Sequence, residues 1–219
     1  MPVTIGIGVT ANDRPQMLAE CLQSIHKYTD MTNVTLYVAD DTNDKKGVAF
    51  KKNECLRALK DCDYVFLFDD DVKVIKEGWV EFFVESKQDH LLFLSKGLHN
   101  KKPVEINLCD EYKIRYTVEH YQDCGGVFMF MTKNAIEKVG AFNEKFERYG
   151  FEHAEYSNRI LGETRNYPML KKTDQYIFAH DYSTAGHKSS ITNDEKYKYV
   201  RSNWVKYFGE PIDNIYLPL

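Results

Sequence analysis

The chain has 219 residues, a formal net charge of −4, and 43% hydrophobic and 28% charged residues. This is an ordinary globular balance, enough for one large domain, and it carries no electrostatic footprint for nucleic acid. No apolar run is long enough for a membrane span, the opening is not that of a signal peptide, and Cys21, Cys55, Cys62, Cys109 and Cys124 form no CxxC pair.

The pattern predicts alternating strands and helices. "VTIGIGV" (3–9) is a buried strand, followed by the turn "ANDRPQ", in which Pro15 suits a first helical turn. Met17, Leu18, Cys21, Leu22 and Ile25 then trace one apolar helix face. "VTLYVA" (34–39) is the second strand, and helical spacing returns over 47–60. "YVFLF" (64–68) is the third strand, "GWVEFFVES" (78–86) a helix and "LLFLS" (91–95) a strand. Residues 96–123 are polar and read as a loop or an irregular hairpin. "CGGVFMFMT" (124–132) is a strand entered through two glycines, and 133–139 a short helix. A further helix is expected from about Glu152 to Leu161, a strand in "QYIFAH" (175–180), and a polar aromatic helix near 194–208. Cys21 and Cys55 fall at apolar helix positions, which suggests reduced core thiols, a reducing compartment and a cytoplasmic protein. No repeat or linker divides the chain, so residues 1–219 read as a single domain.

This alternation implies an α/β fold: a mostly parallel central sheet with helices on both faces. Ligands of such sheets bind outside the carboxyl ends of the strands. Thr10, Asp40, Asp41, Asp69, Asp70 and Asp71 all fall at such ends. Two carboxylates about 5 Å apart repel by roughly 3 kcal/mol at an effective dielectric near 20. The run "DDD" (69–71) therefore reads either as a solvated turn or as a site for a divalent cation, which reverses the sign of that energy.

Four segments, in order, resemble the GT-A nucleotide-sugar glycosyltransferases, family-2-like and with an Asp-x-Asp motif: "GVTANDRP" (8–15), "YVADDTNDKKG" (37–47), "NECLRALKDCDYVFLFDDDV" (53–72) and "CGGVFMFMTKNAIEKVGAFNEKFERYGFEHAEYSNRI" (124–160). The resemblance implies a GT-A Rossmann-like fold, with a nucleotide-binding half over about 1–95 and an acceptor-binding half over about 96–219. It implies Mn²⁺, or Mg²⁺, held directly by Asp71, with Asp69 on the metal or the ribose and a downstream imidazole; His187 is the candidate and His180 its competitor. Thr10 and Asp40 match nucleoside-contacting positions. Asp40 or Asp41 would accept from a base edge of uracil type, and Asp70 belongs to the same donor-side set. Lys51 and Asn53 match a segment that flanks the nucleotide, although an exposed helix face explains them as well. Arg14 likewise fits a solvated helix start. Gly125 and Gly126 would let the backbone approach the donor sugar.

The acceptor-side block departs from the family, whose inverting members end it in Glu-Asp; here the pair is Glu152-His153. The base position then holds His153, unless Glu152 or Glu155 takes over; Glu152 is the expected functional acid, binding the acceptor hydroxyl or acting as base, and inverting and retaining chemistry both remain compatible. Glu155 and Arg159 stand four apart and can pair. The implied activity moves a sugar from a UDP-sugar to a hydroxyl of a glycan, lipid or protein acceptor. A chain short for this fold leaves room for a partner or a second copy of itself, a homo-oligomer, to complete the acceptor site. The main alternative is a non-catalytic sugar-nucleotide or glycan-binding module. "FLFDDDV" also fits the nucleophile motif of haloacid-dehalogenase-type phosphatases, but there that strand opens the domain. A nucleotidyltransferase would need a Gly-rich basic loop where this chain has "TANDRPQ".

Overall fold

The computed structural model describes residues 2–94, 124–146, 148, 150, 152–164, 177–179 and 217–219. Strand β1 (Ile5–Ala11) leads to helix α1 (Pro15–Tyr28), β2 (Val34–Asp40), α2 (Val48–Ala58) and β3 (Tyr64–Asp69). A short β4 (Val72–Val74), α3 (Trp79–Val84) and β5 (His90–Leu94) follow. Beyond the undescribed stretch come β6 (Cys124–Thr132), α4 (Lys133–Val139), a 3₁₀ turn at Glu144–Phe146, α5 (Glu152–Thr164) and β7 (Ile177–Ala179). The sequence reading missed β4. The expected helix near 194–208 lies outside the described residues.

The main sheet has the order β2-β1-β3-β6-β5. β2, β1 and β3 are parallel, and β6 runs antiparallel to both β3 and β5. Every strand but β6 therefore points the same way. The alternation along β3 shows why both faces are covered. Val65 and Leu67 join Cys55, Leu56, Ile136, Tyr156 and Ile160, the face packed by α2, α4 and α5. Phe66 and Phe68 join Cys21, Ile25, Trp79 and Phe83, the face packed by α1 and α3. On that second face Phe66 meets Trp79 edge-on at 4.7 Å and Phe68 meets it at 5.6 Å. Helix α2 sits close because β1 is glycine-rich: a Cβ at Gly8 would stand 2.6 Å from that of Cys55.

A second, two-stranded sheet pairs β4 with β7 in antiparallel register, Val72 with Ala179 and Val74 with Ile177. At Gly140 the chain forms a parallel bridge with Leu217: the Ala141 N–H donates to the Leu217 carbonyl at 2.6 Å.

His90 is fully buried on β5, and its tautomer follows from its partners. Nδ1 stands 2.8 Å from the Phe130 carbonyl, which can only accept, so Nδ1 carries the proton and Nε2 accepts from the Ser157 hydroxyl at 2.7 Å. Burial pushes the pKa of this imidazole down to about 4, from an ordinary 6.5. As pH falls through that window the unfolded chain takes up a proton that the folded chain refuses. His90 is thus expected to withdraw stability at about 1.4 kcal/mol per pH unit. Urea unfolding at pH 7 and pH 5 checks this as the difference between wild type and His90→Gln, in which other titrating groups cancel. A difference that stays constant between the two pH values would rule it out.

Candidate active site

Helices α1 and α2 cover opposite faces of the sheet, and β2 and β3 lie on opposite sides of β1. The topological switch point therefore lies between the carboxyl ends of β1 and β3, where open α/β sheets bind ligands. Thr10 pairs there with Asp69 in register, and its hydroxyl donates to Asp69 Oδ1 at 2.9 Å.

The three aspartates turn the chain from β3 into β4, and they are not a solvated turn. Asp70 is wholly buried and Asp71 is 3% exposed. Arg14 forks onto Asp70 through Nη2 and Nε, and its Nη1 donates to Asp71 Oδ2 at 3.2 Å. The Asn12 N–H adds a bond to Asp70 Oδ2 at 3.2 Å. Burial pushes the Asp70 carboxyl up to about 7, with Arg14 and the Asn12 N–H pulling against it. Arg14, read from sequence as an equally plausible helix-start solvating residue, is instead the bidentate counter-charge of this turn. Asp70 fastens the β1–α1 loop to the β3–β4 turn. Asp69 and Asp71 flank it.

The second loop holds its acids differently. Asp40 is exposed and accepts from the Thr42 N–H at 2.8 Å and the Thr42 hydroxyl at 2.5 Å, which lower its carboxyl. Asp41 is buried and accepts from the N–H groups of Lys46 at 2.7 Å and Gly47 at 2.9 Å, closing the loop ahead of α2. The exposed helix face that would have explained Lys51 and Asn53 is absent: they are 3% and 1% exposed. Lys51 pairs with Asp44 at 2.7 Å and Glu54 at 2.8 Å. The Asn53 amide exchanges hydrogen bonds with the Phe142 backbone at 3.0 and 2.7 Å.

Sequence reasoning missed Lys52. It is 1% exposed, and its ammonium donates to the Gly126 carbonyl at 2.9 Å and to Glu152 Oε1 at 3.4 Å. Asp69 Oδ1 lies 3.9 Å away. Burial raises the Asp69 carboxyl, with Lys52 opposing and Asp71 adding to the rise. Glu152 goes the other way. Burial works against its charge, but Lys52, His153 and the Gly150 N–H, at 2.8 Å, outweigh it and hold the carboxyl well below the ordinary range.

His153 Nδ1 stands 3.6 Å from the same Oε1 of Glu152, and its side chain is 18% exposed against 6% for Glu152. The space at Gly126 belongs to this imidazole: a Cβ built there would lie 2.3 Å from His153 Cγ. Gly125 lies on β6 opposite Phe93. Glu155 and Arg159 do pair, at 2.6 Å and in the core.

Among the described residues no three His, Cys, Asp or Glu side chains converge as a cation cage. Asp69 and Asp71 do supply two carboxylates, the donor type and number that Mg²⁺ or Mn²⁺ uses when substrate phosphates complete the shell. His180 and His187 lie outside the described residues. Ala179, the residue before His180, pairs with Val72, the residue after Asp71.

The α/β architecture is the GT-A fold, shared with the solved glycosyltransferases on which this chain superposes. A family model described as the N-terminal domain of galactosyltransferase matches residues 106–181. An "uncharacterized glycosyltransferase R363" of Acanthamoeba polyphaga mimivirus is 31% identical over 126 residues, 52% of this chain and 46% of the relative. The chain thus spans about half the length of the curated relative it matches.

Among solved structures, the mannosyltransferase PcManGT of Pyrobaculum calidifontis, in complex with GDP-Man and Mn²⁺, superposes with a TM-score of 0.66 at 10% identity, covering 96% of this chain and 66% of that one. A mutant of the Drosophila β1,4-galactosyltransferase 7, in complex with manganese, UDP-Gal and xylobiose, gives 0.57 at 14% identity, covering 89% and 79%. S. aureus TarS gives 0.58 at 15% identity, covering 93% and 40%.

Proposed function

We propose that this chain is a glycosyltransferase domain that moves a sugar from a UDP-sugar to an acceptor hydroxyl with a divalent cation, Mn²⁺ or Mg²⁺. The observation that carries the proposal is the convergence of Thr10 and Asp69–Asp71 at the switch point with Glu152 and His153 brought from α5 through Lys52. Asp69 and Asp71 would hold the cation, together with an imidazole from His187 or His180. A cation bound there would neutralise charge developing on the diphosphate leaving group. Thr10, Asp40 and Asp41 take the nucleoside side. Glu152, held by Lys52 and the Gly150 N–H, positions the more exposed His153, which accepts the acceptor proton.

The solved complexes of two neighbours with a sugar nucleotide and manganese, one with UDP-Gal and one with GDP-Man, support this reading. Free, buried Cys21, Cys55 and Cys62 support a reducing, cytoplasmic setting. Among the described residues no helix is long and apolar enough to cross a membrane.

Thermal unfolding with UDP, GDP, CMP or dTDP, each with and without Mn²⁺, tests the donor site. Ligand at a hundredfold over its dissociation constant adds about 2.7 kcal/mol. A shift with UDP that requires Mn²⁺ is expected, and Asp71→Ala is expected to abolish it without lowering the unliganded melting temperature by more than a few degrees. An Mn²⁺-dependent shift that survives in Asp71→Ala would refute the cation assignment. A second reading, a binding module without turnover, draws on the imidazole that follows Glu152 where the family's inverting members carry an acid. Nucleotide binding without sugar transfer to any glycan, lipid or protein acceptor would favour it.

A further inference from the structure

Three elements meet at a single buried ammonium. Lys52, from α2, touches the Gly126 carbonyl of β6, the Glu152 carboxylate of α5 and, more distantly, Asp69 of β3. Its aliphatic stem is enclosed, and its ammonium stands 5.8 Å from the centre of the Phe142 ring. A buried lysine is tolerated only where its charge and donors are met. Here the partners it meets are the two that fix His153. Glu152 Oε1 accepts from the Lys52 ammonium at 3.4 Å and faces His153 Nδ1 at 3.6 Å, while Oε2 accepts from the Gly150 N–H. Gly126 offers its carbonyl to Lys52 and its bare Cα to the His153 ring.

We propose that Lys52 is a positioning residue: it locks the Glu152 carboxylate and the Gly126 backbone into a cradle that aims His153 at the acceptor. The proposal rests on the glycosyltransferase reading above and names the group on which its proton acceptor depends. Lys52 itself touches neither sugar nor acceptor. It acts through His153, so removing it should matter only while His153 is present. A lysine that served the fold alone would cost the same with or without the imidazole.

A double-mutant cycle in the full chain separates the two. Lys52→Met is expected to lower kcat for sugar transfer at least about 30-fold, somewhat less than the roughly 10²–10⁴-fold of a lost general base. On a His153→Ala background the same change is expected to cost under about threefold. Lys52→Gln, which keeps a donor without the charge, runs the same cycle should Lys52→Met fail to fold. Equal losses on both backgrounds would overturn the proposal.

If wild type shows neither a nucleotide-dependent thermal shift nor transfer, it is the glycosyltransferase reading that fails. Lys52 is then judged by the ring-nitrogen NMR signals of His153, assigned by their loss in His153→Gln. A changed tautomer pattern in the folded Lys52 variant upholds the positioning role, and an unchanged one overturns it.

Discussion

Arg159→Leu is expected to destabilise the protein by about 3–5 kcal/mol, because it strands a buried carboxylate. Arg159 is 3% exposed and Glu155 likewise. Its Nε and Nη2 donate to the two Glu155 oxygens at 2.6 and 3.0 Å. Its remaining reach goes to the backbone: Nη1 to the Val139 carbonyl and Nη2 to that of Ala141, both at 2.6 Å. Those carbonyls flank Gly140, where Leu217 bridges, so one guanidinium ties α5 to the end of α4 and to the chain's last described segment. Leucine would leave Glu155 buried without its cation and two carbonyls without a donor. Adding Glu155→Met should restore much of the loss, since a pair replaced whole by apolar groups is often neutral. Urea denaturation of the single and double variants checks both statements. A single variant within about 1 kcal/mol of wild type would show that this network does not hold α4 and α5 together.

The second large effect is on turnover. On the proposed function, Gly126→Ala is expected to lower sugar transfer about a hundredfold, since a displacement near 1 Å is enough for a loss of that size. The added methyl would lie 2.3 to 2.6 Å from Cγ, Cβ and Nδ1 of His153. The strand cannot yield there, because Val127 and Phe128, next along it, are buried in the core. The imidazole is partly exposed and can swing out, so the fold should survive with a modest stability change. Kinetics alongside a melting curve separate the two effects. Transfer within threefold of wild type would mean that the ring position does not matter to the reaction.

Much of this architecture was legible because it is written locally. The short β-rich runs of β1 and β3, Pro15 at the start of α1, and the apolar stripe of Cys21 and Ile25 each declare their element within a few residues. The acids at the strand ends followed from the same alternation. What was not legible depends on partners far away in sequence. Lys52 looks like any solvated helix lysine until Gly126 and Glu152, 74 and 100 residues further on, close over it. Asn53 is hidden in the same way by Phe142. The three aspartates read as one cluster, and it takes the Nε–Nη2 fork of Arg14 and the Asn12 N–H to set Asp70 apart from its neighbours. Strand direction has no residue signature, so the antiparallel run of β6 could not be read either. β4 is three residues long, and its partner β7 lies over a hundred residues later.

The chain contains just two tryptophans, Trp79 and Trp204. Trp79 is fully enclosed, its indole N–H bonded to the Thr29 hydroxyl at 3.0 Å and its ring against Phe68, the residue that precedes Asp69. With Trp204→Phe, all indole fluorescence would come from this one residue. The molecule then carries its own optical gauge behind the aspartate turn: emission stays blue while the aromatic wall is closed, and a red shift signals water reaching the core beneath that turn.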